Sequence, residues 1–406
     1  AEVYEVDPAV IQRTQRWLAS CQEGDGSWKP SEGGIQEGAI NQFTSDLLRN
    51  TAYITWALAA TGSRGPEVEK GLSYIRNHLD DMKADVYTRV LVANALAAVA
   101  PDDKTTLDTL TTLHEMRIEK DGMVWWESQS ATPTYGTGEA AHVETTGLAI
   151  QAMIRCGKHL DTVSNAVTYL AKTRDASGAW GSTQATVQAL RAMLMAERDA
   201  GGTGSATVSV RINGKEAAVL TIDETNRDVL QLVDMADRTR DGDNEIELLV
   251  EGEAPLMYQA IGRYYMPHPK GPVLHGEEPM AIDLVYDRTA LAADDVVNVT
   301  ATVRNLRPVT ARMVIVDLGL PPGFTLMPQK LDKLVEDKTI EKYSTTGRQI
   351  IIYLREVRPG QPIMIEYQLR AKYPLRAQAP VSTVYEYYNP QIRSTTAPMD
   401  LVVSDR

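Results

Sequence analysis

Cysteine is scarce in this chain. Only Cys21 and Cys156 occur among its 406 residues, and no Cys-x-x-Cys pair is present. Two cysteines cannot build a disulfide framework, and the missing pair excludes zinc ribbons and thioredoxin-type redox chemistry. Each cysteine stands near the end of a helical pattern, and free cysteine is among the most frequently buried residue types. We therefore favour two free, buried thiols over a single disulfide.

Long apolar runs and an excess of positive charge are also missing. The longest apolar-rich run, residues 52–60, is far shorter than the roughly 18 apolar residues that a membrane span needs. The formal net charge of −13 disfavours nucleic acid and anionic membrane surfaces as partners, because both require clustered basic residues. No basic-then-apolar leader opens the chain, although a secretory signal that had been removed would leave the same sequence.

The sequence lacks the usual motifs for cofactors and metals. Neither Gly-x-x-x-x-Gly-Lys nor Gly-x-Gly-x-x-Gly occurs, so nucleotide binding has no support. Asp80-Asp81 and Asp102-Asp103 are isolated pairs at helix ends, where carboxylates cap helices. His142-Val-Glu144 has no following Pro-Cys-x-x-Cys, so we expect it to open a helix rather than bind zinc. We predict no metal, no cofactor and no catalytic residue.

The residues that are present fall into two patterns, which meet at Gly201-Gly202-Thr203-Gly204. All six tryptophans and eight segments of helical periodicity precede this point, and short alternating runs follow it. The predicted helices are 8–21, 47–60, 68–79, 86–99, 106–118, 140–154, 162–172 and 183–196. The predicted strands are 207–212, 216–222, 228–233, 244–250, 257–265, 281–286, 296–305, 311–318, 349–354, 363–371 and 381–388, with a short helix at 328–337. A chain of this length is expected to hold two to four domains.

Three turns in the helical part resemble one another: Gln22–Trp28, Lys120–Trp126 and Asp175–Trp180. Each places a glycine in a tight turn before a tryptophan that can cap the next helix pair. Their glycines, at positions 26, 122 and 178, fall near multiples of ~50 residues, the size of a helical hairpin repeat. Repeated hairpins around a common core can close into an α/α toroid, which we predict for residues 1–200.

Several stretches, in order along the chain, resemble the C-terminal third of the alpha-2-macroglobulin and complement family. They are Asp25–Trp28, Thr51–Leu58, His142–Ala149, Ser182–Leu190, Ile315–Phe324 and Val384–Tyr388. The resemblance implies a multidomain α + β protein. Its parts would be a thioester-domain toroid at 1–200, the C-terminal half of a CUB-like β module at 203–266, a linker at 267–279 and a receptor-binding-like macroglobulin β-sandwich with one short helix at 280–406.

In that family the toroid is inserted into the CUB module. The remaining CUB strands and the macroglobulin domains would therefore lie upstream of this chain, as part of the same protein. Half a β module would expose strand edges, which proteins normally avoid. We interpret the chain as a C-terminal fragment; a β unit that closes unaided is the alternative.

The family's chemistry is the capture of a protease by an internal thioester, formed within a Cys-x-Glu-Gln motif. This chain has no such motif, and Cys21-Gln22-Glu23 presents the same residue types in the wrong order. The resemblance places Gln36 where some complement members carry a histidine that favours hydroxyl targets. Neutral glutamine cannot act as a general base, so an upstream thioester would prefer amines. A loop glutamine without a role is the other interpretation of Gln36.

The resemblance implies a broad-spectrum protease inhibitor that is not an enzyme. Its partners would be target proteases and the upstream part of the same protein. It would act in the periplasm or outside the cell, and an upstream lipid anchor could hold it at a membrane. Poverty in cysteine favours a bacterial source, because animal relatives use many disulfides. Two alternatives remain: a macroglobulin-like binding or scaffold protein without a thioester, and an α/α-toroid enzyme of the cyclase type.

Overall fold

The computed structural model describes residues 6–29, 46–82, 85–133, 136–175, 178–199, 204–226, 229–252, 254, 256–262 and 278–405. Within the described part of the first 199 residues lie eight α-helices, which confirm the eight helical predictions. They are α1 Pro8–Ser20, α2 Leu47–Ala60, α3 Pro66–Asn77, α4 Val86–Ala97, α5 Lys104–Glu115, α6 Gly138–Cys156, α7 Leu160–Thr173 and α8 Thr183–Asp199. A short hairpin of β1 Ile118–Lys120 and β2 Met123–Trp125 lies between α5 and α6.

Aspartates fix where half of these helices begin. The carboxylates of Asp7, Asp46, Asp85 and Asp103 each accept a hydrogen bond, of 2.8 to 3.1 Å, from a backbone N–H in the first turn of α1, α2, α4 and α5. Such a cap satisfies one of the donors that a helix start leaves without a partner. The expected capping role of the Asp102-Asp103 pair is thereby confirmed for Asp103.

The helices form an inner and an outer layer. Helices α2, α4, α6 and α8 pack side by side in the inner layer, while α3, α5 and α7 pack on its outside. Every residue of α4 except Arg89 is buried, as expected for a helix enclosed within a larger helical layer. The inner row curves, since the Arg191 guanidinium of α8 lies 5.2 Å from the ring centre of Trp56 on α2.

Helices α6 and α8 approach closely because α6 carries a glycine at the contact. A Cβ atom at Gly147 would lie 2.8 Å from the backbone carbonyl of Gln188. The Gln151 side chain also donates at 2.8 Å to the side-chain oxygen of Gln188, in a fully buried position. The contact between these two inner helices is therefore both tight and polar.

A three-stranded antiparallel sheet follows the helices, with β3 Ala206–Ile212, β4 Lys215–Ile222 and β5 Ile246–Gly252 in the order β4-β3-β5. Asn213 and Gly214 make the β3–β4 hairpin turn with φ of 51° and 76°, the positive values that favour Asn-Gly in a two-residue turn. The strands predicted at 228–233 and 257–265 are wrong for their described residues, 229–233 and 257–262. Leu230 and Leu232 are 81% and 87% exposed, and residues 229–233 pair with none of the described strands.

The remaining described residues form a β-sandwich with its own hydrophobic core. Its elements are β6 Met280–Tyr286, β7 Ala290–Ala292, β8 Val296–Asn305, β9 Ala311–Gly319, β10 Phe324–Met327, α9 Gln329–Glu336, β11 Lys342–Thr345, β12 Gln349–Val357, β13 Ile363–Ala371, β14 Leu375–Ala379, β15 Thr383–Glu386, β16 Asn389–Thr395 and β17 Met399–Ser404. They form sheets of order β10-β13-β8-β6, β11-β12-β9-β15-β16 and β14-β17-β7. Every strand predicted in this region is confirmed, as is the short helix, while β7, β10, β11, β14, β16 and β17 went unpredicted.

Both cysteines are unpaired, as predicted, but they differ in exposure. Cys156 is buried at the end of α6, whereas Cys21 is exposed at the C-terminal cap of α1. The prediction that Cys21 is buried is wrong because α1 contains no buried residue. Separately, no helix in the described ranges is long and apolar enough to cross a bilayer.

Candidate functional site at the start of the inner helices

The three turns predicted as repeats share one set of hydrogen bonds. In each, the tryptophan indole N–H donates at 2.7 Å to a carbonyl near the end of the preceding helix. The pairs are Trp28–Leu18, Trp126–Leu113 and Trp180–Leu170. The tryptophan backbone N–H donates at 3.1 Å to a threonine hydroxyl on the following inner helix; these pairs are Trp28–Thr51, Trp126–Thr146 and Trp180–Thr186. Each turn thus links the end of one helix to α2, α6 or α8.

The start of α4 is held by a buried ion pair instead. The Arg49 guanidinium of α2 donates to Asp85 at 2.7 Å, to Ser130 at 3.0 Å and to Thr88 at 3.1 Å. Burial alone would raise the pKa of Asp85, but hydrogen bonds from Thr88 and the charge of Arg49 outweigh burial, so the net pKa is lowered. This cluster ties the starts of α2 and α4 to the segment that precedes α6.

Glu144 is a second buried acid at the same end of the inner helices. It lies in the second turn of α6, is 4% exposed, and accepts a hydrogen bond of 2.7 Å from the Tyr87 hydroxyl of α4. Burial raises the pKa of Glu144 to about 7, against the opposing hydrogen bonds from Tyr87 and Thr132. Burial also raises the pKa of Tyr87 well above its usual value, so Tyr87 remains a donor. The expectation that His142-Val-Glu144 opens a helix is wrong in its position, because α6 begins four residues earlier, at Gly138.

A tight turn before α6 lies directly against Glu144. The Thr132 backbone N–H donates to the Gly136 carbonyl at 2.9 Å, and the Gly136 N–H donates back to the Thr132 hydroxyl at 3.1 Å. A Cβ on Gly136 would lie 2.8 Å from Thr132 Oγ1 and 3.7 Å from Glu144 Oε2, so a larger residue would disturb both.

Two residues later the chain meets the β-sandwich. Gly138 opens α6 with a φ of 55°, and a Cβ there would lie 2.7 Å from Nδ2 of Asn389 at the start of β16. Only glycine adopts this backbone conformation without strain and also leaves room for the asparagine. The turn before α6 therefore connects the buried carboxyl of Glu144 with a contact between the helices and the sandwich.

Gln36, the predicted thioester-modulating residue, lies outside the described residues together with the whole of segment 30–45. The described residues on either side of that segment are fixed at the start of α2. Asp46 caps α2, and the Asn50 side chain donates at 2.7 Å to the Trp28 carbonyl. The described residues on both sides of segment 30–45 therefore contact the first turns of α2, the helix that carries Arg49.

Sequence reasoning missed both buried pairs, Arg49–Asp85 and Tyr87–Glu144. The available signal was a charged residue within an otherwise apolar helical pattern, such as Glu144 among Val143, Leu148 and Ile150. The described ranges contain no group of three His, Cys, Asp or Glu side chains placed to hold a metal ion. What the arrangement offers chemically is a buried carboxyl that changes charge near neutral pH.

Two domain models of one protein family match separate parts of this chain. The A-macroglobulin TED domain matches residues 1–195, and the A-macroglobulin receptor binding domain matches residues 309–398. Ovostatin from Gallus gallus is 24% identical over 398 residues, and complement C3 from Eptatretus burgeri is 23% identical over 405 residues. These alignments cover 94% and 93% of this chain but 26% and 24% of the relatives, so the chain spans about a quarter of their length.

Solved structures resemble the chain in fold. Native alpha-2-macroglobulin from Escherichia coli, spanning domain MG7 to the C-terminus, superposes with a TM-score of 0.59 at 15% identity, covering 98% of this chain and 60% of that one. Salmonella alpha-2-macroglobulin reacted with methylamine gives a TM-score of 0.60 at 16% identity, covering 99% of this chain and 24% of that one. At these identities the likeness concerns the fold alone.

Proposed function

Because this chain belongs to the alpha-2-macroglobulin family, we propose that it is the C-terminal part of a broad-spectrum protease inhibitor, which traps its targets and is not an enzyme. The observation that carries the proposal is that the TED and receptor binding domains of one family match the same chain in the family's order. The alignments with ovostatin and complement C3 extend over almost the whole chain.

The helical layers leave apolar faces that need a covering partner. Trp17 and Val10 on α1 are 59% and 41% exposed, and α8 exposes Val187, Leu190 and Leu194 at 49%, 43% and 39%. The spacing of three and four residues on α8 puts its three side chains on one helix face. We propose that helices from the upstream part of the same protein cover these faces, complete the toroid assigned to residues 1–200 and carry the thioester.

The three-stranded sheet needs a partner as well. Among the described strands, β5 pairs only with β3, and its Ile246 and Val250 are 42% and 51% exposed. An open apolar edge is a liability for aggregation unless another strand covers it. We propose that residues 203–266 are half of a CUB-like module whose other strands lie upstream, and that a linker at 267–279 leads to the receptor-binding-like domain at 280–406.

The proposed inhibitor acts outside the cytoplasm, in the periplasm or after secretion, where it meets foreign proteases. Two unpaired cysteines and no disulfide support a bacterial rather than an animal source. For an upstream thioester, the proposed role of Gln36 is to leave the reaction without a general base, so that amines are preferred over hydroxyls.

The test uses the protein encoded by the whole gene. After incubation with the inhibitor, a protease should lose activity on a large protein substrate but keep activity on a small peptide, because a cage excludes only large molecules. Methylamine should add its mass to that protein and release one thiol, while the 406-residue chain, which lacks Cys-x-Glu-Gln, serves as the unreactive control. Equal inhibition of both substrates would refute the trap.

The mass after methylamine treatment decides whether the inhibitor uses a thioester. If methylamine leaves the mass unchanged while large substrates are still protected, the inhibitor traps without a thioester. If the thioester is present, the Gln36→His variant should shift acyl transfer from an amine acceptor such as methylamine towards a hydroxyl acceptor such as glycerol. An unchanged acceptor preference would reject the role given to Gln36.

A further inference from the structure

We propose that the outer face of the five-stranded sheet in the β-sandwich binds an extended, acidic segment of a partner protein. The site is a row of side chains that crosses all five strands, which we call the tyrosine row. From one edge of the sheet to the other, its members are Lys342, Tyr353, Ile315, Tyr385 and Arg393. The proposal concerns a surface of the sandwich alone, so it does not depend on protease trapping or on a thioester.

The strand register places the tyrosine row on the face turned away from the core. Residues paired directly across neighbouring strands point to the same face, and successive residues along a strand point to opposite faces. Val314 and Val316, on either side of Ile315 in β9, belong to the hydrophobic core, and Ile315 does not. The four residues that are in register with Ile315 therefore share its outward face.

The centre of the tyrosine row is apolar. Ile315 is only 4% exposed although it lies outside the core. Tyr353 and Tyr385 are its direct partners on the two neighbouring strands, and both are half-buried. Side chains in such pairs lie about 4.5–5.5 Å apart, so the two rings shield Ile315 from water. Tyrosines of this kind offer a large, rigid contact area at a low cost in conformational entropy, which suits them to protein interfaces.

The two ends of the tyrosine row are positively charged. Lys342 and Arg393 are exposed, and neither forms an ion pair with another described residue. The Lys342 ammonium lies 4.5 Å from the ring centre of Tyr353, so its charge lies directly beside the apolar centre. An apolar surface between two such cations is complementary to a ligand with a carboxylate at each end.

The charge of the whole sandwich also favours an acidic ligand. Residues 280–406 contain 16 Lys and Arg against 14 Asp and Glu, a formal charge of +2, whereas the whole chain has −13. The acidic excess therefore lies before residue 280, and the sandwich repels an acidic ligand least. Asp317 lies on the outward face beside the middle of the tyrosine row, away from its charged ends, and accepts a hydrogen bond of 2.7 Å from Gln349.

The distance between the two cations sets the length of the ligand. Adjacent strands are about 4.8 Å apart, so the four steps from β11 to β16 separate the backbones of Lys342 and Arg393 by about 19 Å. An extended peptide advances about 3.3 Å per residue, and every second side chain points to the same side. A step of six residues therefore spans about 20 Å and places both carboxylates on one side, with the second and fourth residues between them facing the tyrosines.

Two peptides of identical composition test this spacing. Gly-Glu-Ser-Leu-Thr-Leu-Ser-Glu-Gly carries its glutamates six residues apart and its leucines on the same side. Gly-Glu-Ser-Leu-Thr-Leu-Glu-Ser-Gly has the same charge, but its second glutamate points to the opposite side. Each peptide is labelled with fluorescein and titrated with the 406-residue chain in about 50 mM salt, and binding is followed by fluorescence anisotropy. The first peptide should bind about 2- to 5-fold more tightly, the value of one exposed ion pair.

Variants of the row show which side chains bind the peptide. Lys342→Gln and Arg393→Gln should each weaken binding of the first peptide about 2- to 5-fold, and in the double variant the two peptides should bind equally. Tyr385→Ala should weaken binding more than about 5-fold because it removes a central aromatic contact, whereas Tyr385→Phe should keep most of the affinity. Lys372→Gln, an exposed lysine directly after β13 of the other sheet, should bind like the wild type.

Several results would overturn the proposal. They are no binding of the first peptide, equal binding of both peptides by the wild type, and binding that neither Lys342→Gln nor Arg393→Gln weakens. Sedimentation of the 406-residue chain supplies a further test. If the chain forms dimers that Lys342→Gln dissociates, the tyrosine row is a contact between two copies and the acidic segment is rejected. The glutamine variants change only exposed side chains, so they decide the matter even if Tyr385→Ala does not fold.

Discussion

Replacing the threonine that bonds to each repeat turn with valine would show whether the same hydrogen bond stabilises all three turns. Valine keeps the branched shape and removes only the hydroxyl that accepts the tryptophan backbone N–H. Thr51 and Thr146 are fully buried, so in these two variants the N–H is left without a partner or water. An unsatisfied buried donor costs about 1–3 kcal/mol, which is the loss in free energy of unfolding expected for Thr51→Val and Thr146→Val.

The same substitution at the third turn should lower the free energy of unfolding less. The bond between the Trp180 N–H and Thr186 is only partly buried, so water can replace the hydroxyl. We expect Thr186→Val to cost less than about 1 kcal/mol, the net value of an ordinary hydrogen bond. Thr111→Val is the control, because Thr111 is exposed on α5 and its hydroxyl donates only to its own helix at Leu107.

Urea unfolding followed by tryptophan fluorescence is the appropriate assay. All six tryptophans lie before residue 181, so the signal reports the helical layers and not the β-sandwich. The expected order of destabilisation is Thr51→Val and Thr146→Val first, then Thr186→Val, then the control. If the two buried variants were no less stable than Thr111→Val, the shared hydrogen bonds would not be what holds the repeats together.

Three other predictions concern packing, the ion pair and the thiols. Gly147→Ala should lower the free energy of unfolding by about 1–3 kcal/mol, seen in the same urea assay, because its Cβ would overlap the Gln188 carbonyl of α8. Arg49→Met should cost about 1.5–3 kcal/mol at neutral pH, because the partly buried Asp85 would lose a hydrogen bond from a charged partner. Equal stability in circular dichroism melts would contradict this. Iodoacetamide at about pH 8 should alkylate the exposed Cys21 and spare Cys156, because burial raises the pKa of the Cys156 thiol to about 11. Peptide mapping that found Cys156 modified before Cys21 would contradict this difference in exposure.

The parts of the fold that sequence predicts well are those specified by local patterns. The helices are confirmed because aspartate caps, glycine ends and helical periodicity coincide, as at Asp46 before α2 and Gly157 after α6. The repeat turns could be recognised because the same residue types must make the same hydrogen bonds three times. The strands of the β3–β4 hairpin were predicted at 207–212 and 216–222, and the Asn213-Gly214 pair between them favours the two-residue turn that joins them.

The parts that sequence predicts poorly depend on distant partners. Segment 228–233 has the alternation of a strand, yet a strand also needs a neighbour for its backbone, and its described residues have none. Short strands such as β7 and β10 exist only because they pair with β17 and β13, far away in sequence. The Arg49–Asp85 pair and the Tyr87–Glu144 pair join residues 36 and 57 positions apart, so a local pattern can mark Glu144 as a charge among apolar residues but cannot name its partner.

The first and last helices of the array, α1 and α8, both expose large apolar side chains. In arrays of repeated hairpins, each unit buries its apolar face against the next, and a terminal unit needs a polar outer face to remain soluble. Here α8 exposes Val187, Leu190 and Leu194 on one face, and α1 exposes Val10 and Trp17 among polar residues. Within the described residues, then, both ends of the array expose large apolar side chains. A ring closed by further helices satisfies both ends at once, whereas a free-standing scaffold would need two separate partners, which is why we favour the upstream helices as the common partner of α1 and α8.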